Sequence, residues 1–401
     1  MSGRITQAAL SRQTLASILE RQRAVEDTRE RIASGQRILS ASEDPAATER
    51  LVRLRQSEAE FTQFDANGAR VAERLTIAEE TLANVTDVLQ RVRELSISAA
   101  NAGLTDVDRR AIATELEGAQ ATLMDLANTR DPDGQALFAG TRGDAQPFTR
   151  LGGTVRYGGD EGVRRVRVGP DATVADAING ADVFLRARAG NGTFVTDAVA
   201  TNSGTGVIDG GTVVSAFVRD DYRIEFFDGA SGLEWRVLDG GGAQVATGPY
   251  EPGGAIEFAG ARVIVSGEPA PTDAFEVAPA GPLGVFEAVD ALIDVVRRSV
   301  DGTAESVLRD GDLAAAQRDV DAVFSHVLDV RATIGARSQL VDVQRDVVGD
   351  LLLGARGAIS ELADVDIVEA VVTLEARATS LEAAQRAFAR LQGLSLFRFL
   401  S

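Results

Sequence analysis

Residues 71–95 read VAERLTIAEETLANVTDVLQRVREL, and their apolar members Val71, Leu75, Ala78, Leu82, Val85, Leu89 and Val92 follow one another at spacings of four, three, four, three, four and three. That is a heptad stripe, the period of a helix wound against another helix. Upstream, a first helix ends near Gly35, and Ser42-Glu43-Asp44-Pro45 offers an N-cap followed by proline at the first helical position, where its missing N–H costs nothing. A helix running from there to the region of Ala100 would be about 80 Å long at ~1.5 Å per residue. Such a rod demands partners of similar length. Downstream, Thr105-Asp106-Val107-Asp108 caps a third helix whose apolar face is Ile112, Leu116, Leu123 and Leu126.

The far end of the chain answers with Leu313, Ala316, Val320, Val323, Val327, Val330 and Ile334. The stripe continues through Val341, Val348, Leu351, Ala355, Ala358 and Leu362, interrupted by Arg337 and Gln344. At Ala363-Asp364-Val365-Asp366 the phase breaks, which predicts a hinge. A new stripe then runs Ile367, Val371, Leu374, Ala378, Leu381 and Phe388, with Gln385 as its polar member. The first helix has a weaker counterpart, Leu15, Ile18, Val25 and Ile32, with Gln22 and Arg29 at seam positions. Four such side chains, at about 1.5–3 kcal/mol each, do not offset the ordering of some thirty residues at about 1–2 kcal/mol apiece. The stripes fit either an intramolecular bundle or an interface with other chains; the weakness of the two ends favours ends that fold on meeting partners.

Between the helical zones the composition changes. The middle holds most of the glycines, all three tyrosines and the one tryptophan, Trp235. Residues 154–157, 163–168, 222–226 and 261–265 read as short strands bounded by Gly and Asp clusters. The expected fold is therefore mainly α with a β-rich insertion: a long antiparallel helical bundle and coiled coil formed by both chain ends, with a β domain projecting from the middle.

Composition removes most chemistry. The 401 residues carry 60 acidic and 41 basic side chains, a formal charge of -19 that repels phosphate backbones and anionic headgroups. No nucleic-acid or membrane partner is expected. All the basic residues are arginine, which codon bias explains as well as function does. There is no cysteine, and the single histidine, His326, cannot build a multi-histidine metal site. It falls off the Val323/Val327 stripe and reads as a solvated side chain. Asp131-Pro132-Asp133-Gly134 shares the start of a calcium loop but lacks its later ligands, so it reads as a tight turn. Gly158-Gly159-Asp160-Glu161-Gly162 lacks a phosphate-binding fingerprint and reads as a hairpin turn. Asp364 and Asp366 read as helix caps. No nucleophile elbow or HExxH helix occurs, so neither enzyme nor cofactor is expected. The first thirty residues show no cleavable secretory signal and no stretch reaches 18 apolar residues.

Three stretches carry a resemblance. Residues 30–39, ERIASGQRIL, with Ser42-Glu43-Asp44-Pro45, the segment LQRVRELSISAANAGLTDVDRR at 89–110, and the terminal LEAAQRAFARLQGLSLFRFL together resemble the flagellin family. Gly134–Thr141 with Gln146-Pro147-Phe148, and VRYGGDEGVRRVRVGPDATVADAINGADVF from 155 to 184, resemble that family's hook–filament junction branch more than its filament subunits. The likeness does not extend to residues 190–280. It implies export unfolded through the flagellar type III apparatus with a chaperone, then assembly outside the cell at the hook–filament junction. The implied partners are the first hook-associated protein, flagellin and further copies of the chain in a ring. It also implies a division: 1–44 and 366–401 as the halves of an inner coiled-coil segment, 45–150 and 285–365 as the halves of a long-helix bundle, and 151–284 as a β-rich outer insertion. Leu15, Ile18, Val25, Ile32, Ile367, Val371, Leu374, Ala378, Leu381 and Phe388 are then the expected assembly interface. Val71, Leu75, Leu82, Val85, Leu89, Val92, Val320, Val327 and Ile334 are the long-helix seam. A filament subunit, or an enzyme or adhesin carried on the same scaffold, are the competing readings.

Overall fold

A computed structural model describes residues 7–230, 232–299 and 303–397. The last three residues of the C-terminal motif, 398–400, lie outside the described residues. Four long helices dominate: α1, Gln7–Ser34; α2, Pro45–Ala99; α6, Thr303–Ala363; and α7, Ile367–Phe397. Shorter ones are α3, Asp106–Ala127; α4, Gly180–Phe184; and α5, Val285–Arg297. The chain forms two compact units, Met1–Ala66 with Arg345–Ser401, and Asn67–Gln344.

In the first unit the two chain ends meet. At the Gly35 bend the Val365 N–H donates to Gly35 O at 2.9 Å, and the Arg37 N–H donates to Ala363 O at 2.7 Å, with Gln36 bridging Asp364. Gly35 has φ 72°, a conformation that disfavours any side chain, which is why a glycine ends α1. The caps are those the sequence predicts: Asp44 Oδ1 accepts from Ala47 N at 2.9 Å ahead of Pro45, and Asp366 Oδ1 accepts from Val368 N at 2.9 Å. A small core of Phe64, Val348 and Leu352, flanked by Phe61, joins α2 to α6.

The second unit holds two cores. In the first, α2, α3, α5 and α6 close around the heptad stripes, and α3 begins with a full capping box between Thr105 and Asp108. Four buried rings, Phe138, Phe148, Phe184 and Phe286, pack at 5.2–5.9 Å and fasten the hairpin 148–157 and α4 to these helices. The second core belongs to strands alone. A five-stranded antiparallel sheet runs in the order Gln244–Pro249, Gly232–Leu238, Tyr222–Gly229, Ala274–Pro279, Phe194–Ala198. It faces a smaller sheet built on Ala255–Phe258 and Ala261–Ser266 across Ile224, Phe226, Val237, Val263, Phe275 and Val277. The alternation in 222–229, buried at Tyr222, Ile224 and Phe226, is the period-two pattern of a sheet covered on one face. The fold is thus mainly α with a β-rich middle.

Two local expectations change. The glycines at 158–162 do not close a hairpin; they link the hairpin 148–157 to the next one, 165–175. Asp160 ties this link to the 139–141 loop, its carboxylate accepting from the Thr141 hydroxyl at 2.5 Å and from Thr141 N at 2.7 Å, and these bonds hold its pKa below the ordinary carboxylate value. A Cβ at Gly140 would lie 2.2 Å from Asp160 O, so that position excludes every other residue. His326 is not merely solvated: its Nε2 lies 2.7 Å from the Asp182 carbonyl oxygen, joining α6 to α4.

Candidate assembly interface

The two end helices form an antiparallel pair whose apolar seam is interrupted by polar residues, at Thr14, Arg21 and Thr28 on α1 and at Arg377 on α7. On α1 the seam row is Thr14, Ile18, Arg21, Val25, Thr28 and Ile32, with Ile18, Val25 and Thr28 buried, Thr14 and Ile32 half-buried and Arg21 exposed. On α7 it is Ala370, Leu374, Arg377, Leu381, Ala384 and Phe388, with Ala370 buried and the other four apolar residues half-buried. The arginines bridge the helices. Arg377 Nη1 donates to Ala24 O at 3.0 Å and to Thr28 Oγ1 at 2.9 Å, and Arg21 Nη1 donates to Ser380 Oγ. Polar seam residues of this kind fix register and orientation at a cost in stability.

Of the expected interface, Ile18, Val25, Ile32, Leu374, Leu381 and Phe388 therefore lie in this seam, within one chain. The others lie outside it. Leu15 is 48% exposed, Ile367 60%, and Val371 and Ala378 are exposed as well. The cause is a half-heptad ambiguity. Residues seven apart share a seam position, but the layer between them can fall three or four residues on, and both options here carry plausible side chains. The same slip occurs on α6, where Leu352 is buried in place of the expected Leu351. Thr14, Arg21, Thr28, Ala370, Arg377 and Ala384 are not among the expected seam residues. The signal was their own seven-residue spacing, 21 to 28 and 370 to 377, hidden because arginine and threonine are not core types.

The long-helix seam is different. Val71, Leu75, Leu82, Val85, Leu89, Val92, Val320, Val327 and Ile334 are all buried inside the second unit, and so offer nothing to another chain. Arg331 Nη2 donates to Glu79 Oε1 at 2.7 Å and Gln317 Nε2 to Ser96 O at 2.8 Å, locking α6 against α2. Arg74, buried on α2, is a three-way clamp. Its Nε donates to Asp176 O at 3.1 Å, its Nη2 to Ala136 O at 2.9 Å, and its Nη1 pairs with Asp131. Burial pulls its pKa below the arginine value, and Asp131 opposes that pull. Asp131 also closes the tight turn before Gln135, accepting from Gln135 N at 2.8 Å.

Trp235 donates its indole N–H to Pro249 O at 3.0 Å and packs on Gly248 inside the sheet. Among the described residues no group of three or more His, Asp or Glu side chains could hold a metal, and no helix is long and apolar enough to cross a membrane.

Long paired end helices, a closed helical core and a separate β core define a rod-built structural protein with no obvious catalytic arrangement among the described residues. Residues 5–142 match the family model for the bacterial flagellin N-terminal helical region. The chain belongs to the flagellin family, whose members are structural proteins of the flagellum. Within that family its likeness is to the hook-associated protein 3 branch. It is 24% identical to flagellar hook-associated protein 3 of Escherichia coli K12 over 370 residues, 92% of this chain and 90% of that one. The Xanthomonas campestris FlgL crystal structure superposes with a TM-score of 0.70 at 31% identity, covering 76% of this chain and 98% of that one. The flagellar junction protein FlgL of Legionella pneumophila gives 0.71 at 28%, covering 79% and 100%.

Proposed function

We propose that the chain is the subunit that joins the hook to the filament, binding the first hook-associated protein on one side and flagellin on the other. The observation that supports this reading is the likeness to flagellar hook-associated protein 3 over 90% of its length and to a flagellar junction protein FlgL over 100% of the solved chain. In this reading 1–44 and 366–401 form the inner coiled-coil layer with further copies in a ring. The helices of 45–150 and 285–365 form the layer around it, and 151–284 faces outward. The half-open seam of the end pair supports such a role: Leu374, Leu381 and Phe388 are covered on one side only, and covering the remainder is what neighbouring copies supply. Delivery is by type III export with a chaperone, and the working location is the extracellular hook–filament junction. The function is mechanical, without turnover.

Deletion of the gene tests the proposal. Cells should keep complete hooks, bear no filaments and release flagellin into the medium, and the chain supplied in trans should restore filaments. Normal filaments on the deletion strain would overturn it. Hooks bearing a stable stub capped by the first hook-associated protein and one further junction layer would favour a filament subunit instead.

A further inference from the structure

The flanks of the end pair carry complementary rows that one chain cannot join to each other. On the outer side of α1 the row is Arg12, Leu15, Leu19 and Arg23, all exposed, with both leucines at 48%. On the outer side of α7, Val368 is 76% and Val372 63% exposed, with exposed Glu375 beyond them and the exposed hinge carboxylates Asp364 and Asp366 before them. An apolar pair between two cations thus has its counterpart in an apolar pair between carboxylates. From residue 12 to 23 and from 364 to 375 the two rows have the same length in sequence. In antiparallel alignment Leu19 meets Val368, Leu15 meets Val372, Arg12 meets Glu375, and Arg23 meets the hinge carboxylates.

We propose that the α7 flank around Val368 and Val372 receives the α1 flank around Leu15 and Leu19 of a second copy of this chain. This rests on the assembly reading above and names the contact through which copies join. Within one chain the contact is ruled out by register. The bonds from Arg21 to Ser380 and from Arg377 to Thr28 set Leu19 level with α7 residues near 384 and Leu15 level with those near 388, each about 24 Å along the axis from Val368 and Val372 respectively at ~1.5 Å per residue. Each copy therefore carries one row of each kind, and the contact is heterologous. It leaves a free row at both ends, so copies continue into a ring or a helical array instead of stopping at a dimer. Charge complementarity sets the direction, since like rows facing each other would oppose cations to cations. Two apolar side chains per row bury too little to hold free copies together, so the contact belongs to the assembled state.

The absence of native cysteine makes the test clean. Leu19→Cys and Val368→Cys are introduced together in the full chain, flagella are purified from cells expressing it, and mild oxidation is followed by non-reducing electrophoresis. A ladder of covalent multimers from the double variant, absent from each single variant, is the expected result, because only facing positions reach disulfide geometry. Three results overturn the inference: no ladder although the chain is present in the flagella, a dimer from Leu19→Cys alone, or a cross-link to a different flagellar protein. The first leaves the junction reading standing; absence of even the wild-type chain from purified flagella would remove that reading. Should the double cysteine variant not assemble, a charge swap decides. Arg12→Glu or Glu375→Arg alone should lower incorporation about two- to fivefold, as expected for an exposed pair, and the two together should restore it. Failure of the pair to restore it overturns the inference.

Discussion

The seam in the second unit and the seam between the chain ends share a seven-residue spacing but differ in content and closure. Along α2 every layer from Val71 to Val92 is Val, Leu or Ala, and every one is buried. Along α1 apolar and polar positions alternate, along α7 Arg377 interrupts an otherwise apolar row, and the large side chains of α7 are only half covered. An all-apolar seam closed within the chain yields a core that folds once and stays folded, at about 1.5–3 kcal/mol for each large side chain buried. The mixed seam gives up part of that stability for a defined register, and keeps apolar area for a later partner. In the junction role proposed above, unfolded export followed by joining a polymer would use both kinds of seam.

The largest effect that would sharpen this contrast is in the closed seam. Leu82→Ala should cost about 2–5 kcal/mol, since a fully buried methyl cluster is replaced by a cavity, read as a lowered urea midpoint for the helical core. Arg74→Ala should cost about 3–5 kcal/mol in the same measurement by leaving Asp131 half-enclosed without its cation. In the open seam the expectation reverses. Leu374→Asp should leave that midpoint within about 0.5 kcal/mol, as for a site outside the core, yet abolish incorporation into flagella. Normal incorporation of the Leu374→Asp chain would break the distinction between the two seams.

Arg377→Leu probes the polar layer itself. Thr28 keeps its own bond to Ala24 O at 2.7 Å, so no buried group is orphaned, and helicity of the end pair should hold or rise while register loosens. The readout is a second cross-linked species from cysteines placed at adjoining positions of the two helices. The smallest difference expected is on α6. Leu352→Ala should destabilise the first unit measurably, whereas Leu351→Ala should stay within about 0.5 kcal/mol because Leu351 is 36% exposed.

How far these features can be read from residues alone follows from the same contrast. The closed seam is fully legible, because with apolar residues at every layer the alternation of four and three has one phase. The caps at Asp44, Thr105 and Asp366 are legible because a side-chain oxygen beside a helix start has one principal use. At the chain ends only every second layer is legible. Ile18, Val25, Ile32, Leu374, Leu381 and Phe388 define the heptad, but threonine, arginine or alanine fills the layers between, and Leu15, Val371 and Ala378 offer a more apolar alternative one residue away. Tertiary bonds from Arg21 and Arg377 decide the phase, and no local propensity encodes them. The second, all-strand core is legible as strands but not as a core, since the pairing of 222–229 with 274–279 is long-range. The bond from His326 to Asp182 escapes sequence reading for the same reason.

Immunogold electron microscopy of intact flagella, with an antibody raised against the strand core at residues 194–279, tests the junction role in one image. A narrow band of label between hook and filament is the expected result. Label along the whole filament would contradict it and make the chain a filament subunit.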